Sequence, residues 1–278
     1  MNEKLSRPQF NQMDTTEKQT LMESLAARYN MTFLDLHTFD RWGQSSTTGI
    51  FEKDGRKFVF VPGDTVTLGW EQFAVGLNQE SREELEYLFR EWEMEPQNPE
   101  EMIRESMAPV RQAAIGPMLV GRELEELCWE SVKMDDPRLT AHPDWLKEFR
   151  DFAWSDSSSL TLHQSARIER TEDGFQTWIY NRTDYDELLT GLEKQGLSLP
   201  TADEWAYLCG GGCQTLFPWG DGLDYSMRLR WFEDMDEDEN RSYDMEEPNF
   251  FGLSIAYDPY MREVVQADRL TTCGGDGG

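Results

Sequence analysis

The sequence predicts an α+β fold, and three observations support this prediction. Thr201 and Glu204 stand at capping-box spacing ahead of a short apolar face, and three glycines follow at 210–212, so a helix with two marked ends is expected. Asp54-Gly55 is typical of the tight turn of a β-hairpin. The chain of 278 residues has 10 Trp, 15 Phe and 9 Tyr, which favours a folded chain with a substantial core.

Helical and extended patterns alternate before the first hairpin. Asp14 and Glu17 form a second capping box, and apolar residues recur at helical spacing over 14–29. Residues 31–39 partly alternate between apolar and polar side chains, which predicts a short strand. The hairpin over 49–61 then follows, with its turn at Asp54-Gly55.

The middle of the chain predicts further short elements. Ser81 and Glu84 form a third capping box, which begins a mostly polar helical stretch over 80–106. This stretch is interpreted as a helical cover for the core or, alternatively, as an arm that binds a partner. The later predictions from the residues are helices over 143–152 and 183–195 and a hairpin around 173–174.

Several motifs resemble one known family. The motif segments, in chain order, are Phe58-Val-Phe-Val-Pro-Gly63, Leu199-Pro-Thr-Ala-Asp-Glu-Trp205 with Pro218-Trp-Gly220, Pro248-Asn-Phe-Phe-Gly-Leu253, and 270–275. In this order they resemble the formylglycine-generating enzymes, also called sulfatase-modifying factors. The resemblance extends over roughly four-fifths of the chain, and the order makes it more specific than any single motif.

The resemblance implies a C-type-lectin-like fold of the sulfatase-modifying-factor type, which is rich in ordered loops. It also implies a pair of strands over 109–122 and a helix over 123–129. Residues 1–48 are then a helical N-terminal extension, and residues 49–278 form the family-like domain with a helical insertion at about 80–107. The glycine-rich end at 274–278 falls before the last strands of that fold. We therefore expect the domain to lack its final strands or to receive them from a partner, and an open sheet edge would favour a homo-oligomer.

The enzymes of this family oxidise a substrate cysteine with copper held by two cysteines. Cys209, Cys213 and Cys273 match neither copper-ligand position of the family. A related class, the sulfoxide synthases, uses iron held by two histidines and a carboxylate, but no motif surrounds His142 or His163. The sequence therefore assigns no catalytic residue, and a metal-dependent oxidoreductase of either class is the alternative.

The favoured function is a non-catalytic lectin-like module that binds an unknown small-molecule ligand or protein partner. The candidate ligand-binding residues are Trp219, Asp221 and Tyr257, because aromatic and carboxylate groups on loops of a rigid scaffold suit recognition.

The resemblance also suggests a calcium site, in the loop that follows Leu253. Asp258 and Glu263 are the candidate metal ligands, since calcium prefers carboxylate oxygens, and a simple surface loop is the alternative. The acidic run at 233–240 lacks the spacing of an EF-hand and is interpreted as a solvated loop.

Charge and composition limit the partners. The formal net charge is −28, so anionic nucleic acids and membrane surfaces are not expected as partners. Apolar runs are too short to span a bilayer, and the N-terminus resembles no secretory signal. Four cysteines are too few for a disulfide-built scaffold. A cytoplasmic location is therefore expected.

Overall fold

A computed structural model describes residues 5–93, 98–171, 173–229 and 242–275. Within these ranges it has eight α-helices and four antiparallel sheets, so the predicted α+β class is confirmed. The helices are α1 (Arg7–Gln12), α2 (Thr15–Tyr29), α3 (Gln79–Glu91), α4 (Pro99–Ser106), α5 (Pro137–Thr140), α6 (Pro143–Ala153), α7 (Tyr185–Lys194) and α8 (Ala202–Gly210). The strands are β1 (Thr32–Arg41), β2 (Gln44–Lys53), β3 (Arg56–Val61), β4 (Asp64–Leu68), β5 (Arg111–Ile115), β6 (Met118–Gly121), β7 (Trp129–Val132), β8 (Ser159–Leu162), β9 (Ala166–Thr171), β10 (Gly174–Tyr180), β11 (Glu263–Val265) and β12 (Thr271–Cys273).

The chain divides into two compact units. The first comprises Met1–Leu124 with Leu199–Gly278, and the second comprises Glu125–Ser198. The predicted boundary at 48/49 lies inside strand β2, within the first unit. Residues 233–240 and 276–278 lie outside the described residues.

The main sheet of the first unit has the strand order β1-β2-β3-β6. The predicted turn joins β2 to β3, where Lys53 pairs with Arg56. Asp54 and Gly55 both have positive φ, at 52° and 77°, as the two-residue turn between twisted strands requires. Helix α2 packs on β1 and β2, where a Cβ on Gly49 would lie 2.6 Å from the Met22 side chain.

The core of the first unit lies between this sheet, helix α8 and the segment 249–253. Its largest fully buried side chains include Tyr207, Phe250 and Phe251. Tyr207 and Phe251 contact each other with ring centroids 5.2 Å apart. Helix α8 therefore brings together parts of the chain that are far apart in sequence.

The second unit is a four-stranded sheet with the order β7-β10-β9-β8, covered on one face by α5 and α6. Leu139, Phe149 and Ile168 are among its core side chains. On the other face the Arg167 guanidinium lies 5.0 Å from the Trp129 ring and 4.5 Å from the Trp178 ring. Strand alternation puts these three side chains opposite the core.

Three local predictions are corrected by the structure. Ser81 is not the N-cap of α3, because Asn78 occupies that position and accepts a hydrogen bond from the Ser81 N–H at 2.8 Å. No helix forms over 123–129, where turns lead into β7. Strands form within 109–122, but β5 pairs with β4 and β6 pairs with β3, so these two strands do not pair with each other.

No helix in the described ranges has the length and apolar character needed to cross a membrane.

Candidate functional site

Helix α8 organises the region from which the candidate site is built. Its N-terminus has the predicted capping box, with Glu204 N–H donating to Thr201 Oγ1 and Thr201 N–H donating to the Glu204 carboxylate. Buried Tyr207 donates its hydroxyl to the Pro62 carbonyl at 2.9 Å. The Asn249 amide donates to the Leu208 carbonyl at 2.8 Å, so the helix fixes both neighbouring segments.

The glycines after α8 allow close contact with three other segments. Gly211 has φ 62°, and a Cβ on it would lie 2.8 Å from Phe250. Gly212 has φ 81°, and a Cβ there would lie 2.9 Å from Val66. The Arg7 guanidinium donates to the Gly211 carbonyl at 2.9 Å, so the N-terminal segment holds the C-terminal end of this helix.

The turn that follows is closed by a buried carboxylate. Phe217 and Gly220 exchange two backbone hydrogen bonds, as expected for the predicted turn at 218–220. Asp221 is only 1% exposed, and its Oδ1 accepts the Leu216 N–H at 3.0 Å. Its Oδ2 accepts the N–H groups of Val75 and Gly76 at 2.7 and 3.0 Å. This carboxylate therefore ties the turn to the loop that precedes α3.

Two loops form a groove of about 580 Å³ where they meet. The groove is lined by Val75, Gly76, Asn78, Glu80, Trp219, Gly220, Asp221, Gly222, Leu223, Asp224, Tyr225 and Ser226. Three apolar or aromatic side chains in it are well exposed, namely Val75 at 82%, Leu223 at 43% and Tyr225 at 49%. This volume is in the range of small-ligand pockets.

Hydrogen bonds hold the two sides of the groove together. The Asn78 amide donates to the Leu223 carbonyl at 2.8 Å, and the Leu223 N–H donates to the Ser81 hydroxyl at 3.0 Å. Gly222 fits closely here, since a Cβ on it would lie 2.8 Å from Asn78 Nδ2. The backbone of both loops is therefore fixed by residues at the start of α3.

Trp219 forms a half-buried wall of this groove. Its indole N–H donates to the Gly222 carbonyl at 3.1 Å. Its ring stacks on Phe217 with centroids 4.8 Å apart, and Trp42 lies 5.5 Å away at an angle of 51°. The two neighbouring rings and the indole hydrogen bond restrict the rotation of Trp219, so a ligand would meet a fixed surface.

The sequence-predicted site residues fall into two groups. Trp219 and Asp221 line the groove together, whereas Tyr257, Asp258 and Glu263 are not among its lining residues. Asp258 accepts a hydrogen bond from the Tyr260 N–H at 2.8 Å within its own turn.

Glu263 lies in a partly buried position beside α8. It accepts the Trp205 indole N–H at 2.7 Å and the Ala256 N–H at 2.7 Å. Burial raises the pKa of Glu263, and these two bonds partly oppose that effect. Among the described residues, no three His, Cys, Asp or Glu side chains are grouped so that they could hold a metal ion.

All four cysteines are free thiols. Cys273 pairs across the two-stranded sheet with Glu263. Burial raises the pKa of the thiols of Cys209, Cys213 and Cys273, which favours the protonated and weakly nucleophilic form. His142 stacks on Trp145 with ring centroids 3.8 Å apart.

Sequence reasoning missed most of the groove. Val75, Asn78 and Glu80 lie about 145 positions before the Trp219 turn, and nothing local connects the two segments. The segment Leu223-Asp-Tyr-Ser226 did offer one indication, because Asp followed two residues later by Ser is typical of a compact turn.

No family model, no curated protein and no solved structure matches the chain.

Proposed function

We propose that this protein is a non-catalytic binding module whose ligand or protein partner lies in the groove around Trp219. The observation that carries the proposal is the combination of exposed apolar side chains with a fixed backbone. Val75, Leu223 and Tyr225 are exposed, while Asp221 and Asn78 hold the loops that carry them. Side chains presented from a rigid framework lose little conformational entropy on binding, which favours recognition.

A C-type-lectin-like fold of the sulfatase-modifying-factor type belongs to the same proposal. It is supported by the way the motif segments meet around α8. Tyr207 bonds to Pro62, Leu208 bonds to Asn249, and a Cβ on Gly274 would lie 3.3 Å from the Trp205 ring. These segments therefore have a shared structural role in the first unit.

Two observations support a non-catalytic function. The Asp221 carboxylate is buried and accepts three backbone N–H groups, so most of its acceptor capacity is used to hold the loops. The raised pKa values of three cysteines disfavour the thiolates that monovalent copper requires. The free thiols also fit a reducing compartment, and a cytoplasmic location is part of the proposal.

The metal-dependent oxidoreductase remains the alternative, and metal analysis separates it from a binding module. Mass spectrometry of the purified protein should find copper and iron far below one atom per chain. Stoichiometric copper or iron would contradict the proposal. Stoichiometric calcium that is lost in an Asp258→Asn variant would instead establish the calcium site.

The groove itself is tested with a library of small-molecule fragments and ligand-observed NMR. Leu223→Asp places a charge in the groove, and Leu270→Asp is the matched control because Leu270 is 61% exposed and is not a groove residue. Fragments should bind the unaltered chain and the control but not Leu223→Asp. Equal binding by all three chains, or no binding to any, would overturn the groove as the binding site.

A further inference from the structure

The charges in the groove point to the chemistry of its partner. Its acidic lining residues are Glu80, Asp221 and Asp224, and no Lys, Arg or His is among the lining residues. Hydrogen bonds from Ser226 lower the pKa of Asp224, which keeps this exposed carboxylate ionised. The Tyr225 hydroxyl donates to Glu84, so a further carboxylate lies beside the groove.

These carboxylates have different roles. Asp221 is buried and bonded to three backbone N–H groups, so it holds the loops. Glu80 and Asp224 are exposed, and they line the groove from the first turn of α3 and from the loop after the Trp219 turn, respectively. A cationic group in the groove would therefore meet a carboxylate from each side.

The same groove also offers apolar contact area. Val75 and Leu223 come from opposite loops, and the Tyr225 ring is half exposed. Lysine and arginine have long apolar stems below their charged ends, and aromatic rings attract cations. A partner segment with one apolar side chain flanked by basic side chains would therefore match both the acidic and the apolar lining residues of the groove.

The charge of the whole chain favours the same partner. A formal net charge of −28 attracts a basic partner and raises its association rate, whereas an acidic partner is repelled. The groove is also too small for a folded domain, since about 580 Å³ admits only a few side chains.

We propose that the groove takes a basic segment of a partner protein, in which Lys or Arg side chains pair with Glu80 and Asp224 and an apolar side chain contacts Val75 and Leu223. This inference rests on the proposed function, and it adds the class of partner.

The test is fluorescence anisotropy of labelled ten-residue peptides at physiological salt. One probe alternates lysine with leucine, a second replaces each lysine with glutamate, and a third replaces each leucine with serine. Unlabelled spermine serves as a competitor without a peptide backbone or an apolar anchor. The lysine–leucine peptide should bind at least tenfold more tightly than the other two peptides, and spermine should compete weakly.

Variants separate the groove from the general acidity of the chain. The double variant Glu80→Gln with Asp224→Asn should weaken the lysine–leucine peptide about five- to tenfold, since exposed ion pairs contribute modestly. The matched control, Asp144→Asn with Glu148→Gln on helix α6, removes the same charge and should change affinity less than twofold. Circular dichroism checks that each variant remains folded.

Each contrary outcome has a distinct meaning. Equal weakening by both double variants would show that only overall charge attracts the peptide and would overturn the inference. Equal binding of the serine peptide or strong competition by spermine would also overturn the inference, because the affinity would then not depend on an apolar side chain. If fragments bind in the groove but no basic peptide does, the partner class is wrong while the proposed function stands.

Discussion

Replacing Asp221 with Asn tests the structural basis of the groove. The carboxylate accepts three backbone N–H groups, with distances of 2.7 Å from Val75, 3.0 Å from Gly76 and 3.0 Å from Leu216. Asparagine keeps one carbonyl oxygen, and its NH₂ group would face at least one of these donors. Hydrogen bonds to charged groups contribute about 1.5–3 kcal/mol, so Asp221→Asn should cost about 2–4 kcal/mol of local stability.

Hydrogen exchange measured by mass spectrometry reports this loss at the loops themselves. A cost of about 3 kcal/mol would speed amide exchange at Val75, Gly76 and Leu216 by roughly a hundredfold. Asp224→Asn is the control, because the exposed Asp224 carboxylate accepts its hydrogen bonds from nearby Ser226, and its loss should leave these amides almost unchanged. Identical exchange in both variants would refute the role assigned to Asp221.

Three further predictions concern helix α8, the glycine that ends it, and helix α2. Gly211→Ala should lower stability by about 2–4 kcal/mol, because alanine is strained at this positive φ and its Cβ would clash with Phe250. Nothing lies within 4 Å of a Cβ on Gly43, so Gly43→Ala should cost only the backbone strain of about 1–2 kcal/mol. Thermal unfolding compares the two variants. Burial lowers the pKa of Lys18, so between that lowered value and the ordinary value of 10.5 the unfolded chain binds more protons than the folded chain. The free energy of unfolding should therefore rise with pH in this window. Lys18→Met should abolish this rise, as measured by urea unfolding at several pH values. Trp205→Phe removes the indole hydrogen bond to Glu263 and should lower stability by about 1–3 kcal/mol. Because this bond lowers the pKa of Glu263, its loss should raise that pKa further, which carboxylate-selective NMR titration measures. An unchanged titration would show that the indole bond does not hold this carboxylate.

Local chemistry explains why some elements could be predicted from the sequence. The capping boxes of α2 and α8 need only residues three positions apart, and both form as predicted. The turn at Asp54-Gly55 likewise depends on two residues that tolerate positive φ. Ser81 was a wrong choice of N-cap because Asn78, three residues earlier, is itself held by the distant Leu223 carbonyl.

Tertiary pairing explains the elements that local pattern could not predict. Trp129 begins a strand because it pairs with Tyr180 of β10, which lies far along the chain, and no local spacing indicates that pairing. The groove has the same origin. Asp221 and Trp219 stand out within one motif, but the opposite wall comes from Val75 and Asn78, which only the folded chain brings near.

The most direct test of the groove as a binding site is the indole N–H spectrum of the chain labelled with ¹⁵N-tryptophan. The chain has 10 tryptophans, and the Trp219 signal is assigned by its loss in Trp219→Phe. Adding the lysine–leucine peptide should shift the Trp219 signal, whose N–H bonds to Gly222 inside the groove, and leave that of Trp154, which is 92% exposed in the second unit, unchanged. Shifts at Trp154 or other indoles with none at Trp219 would contradict the account, because the partner would then bind elsewhere.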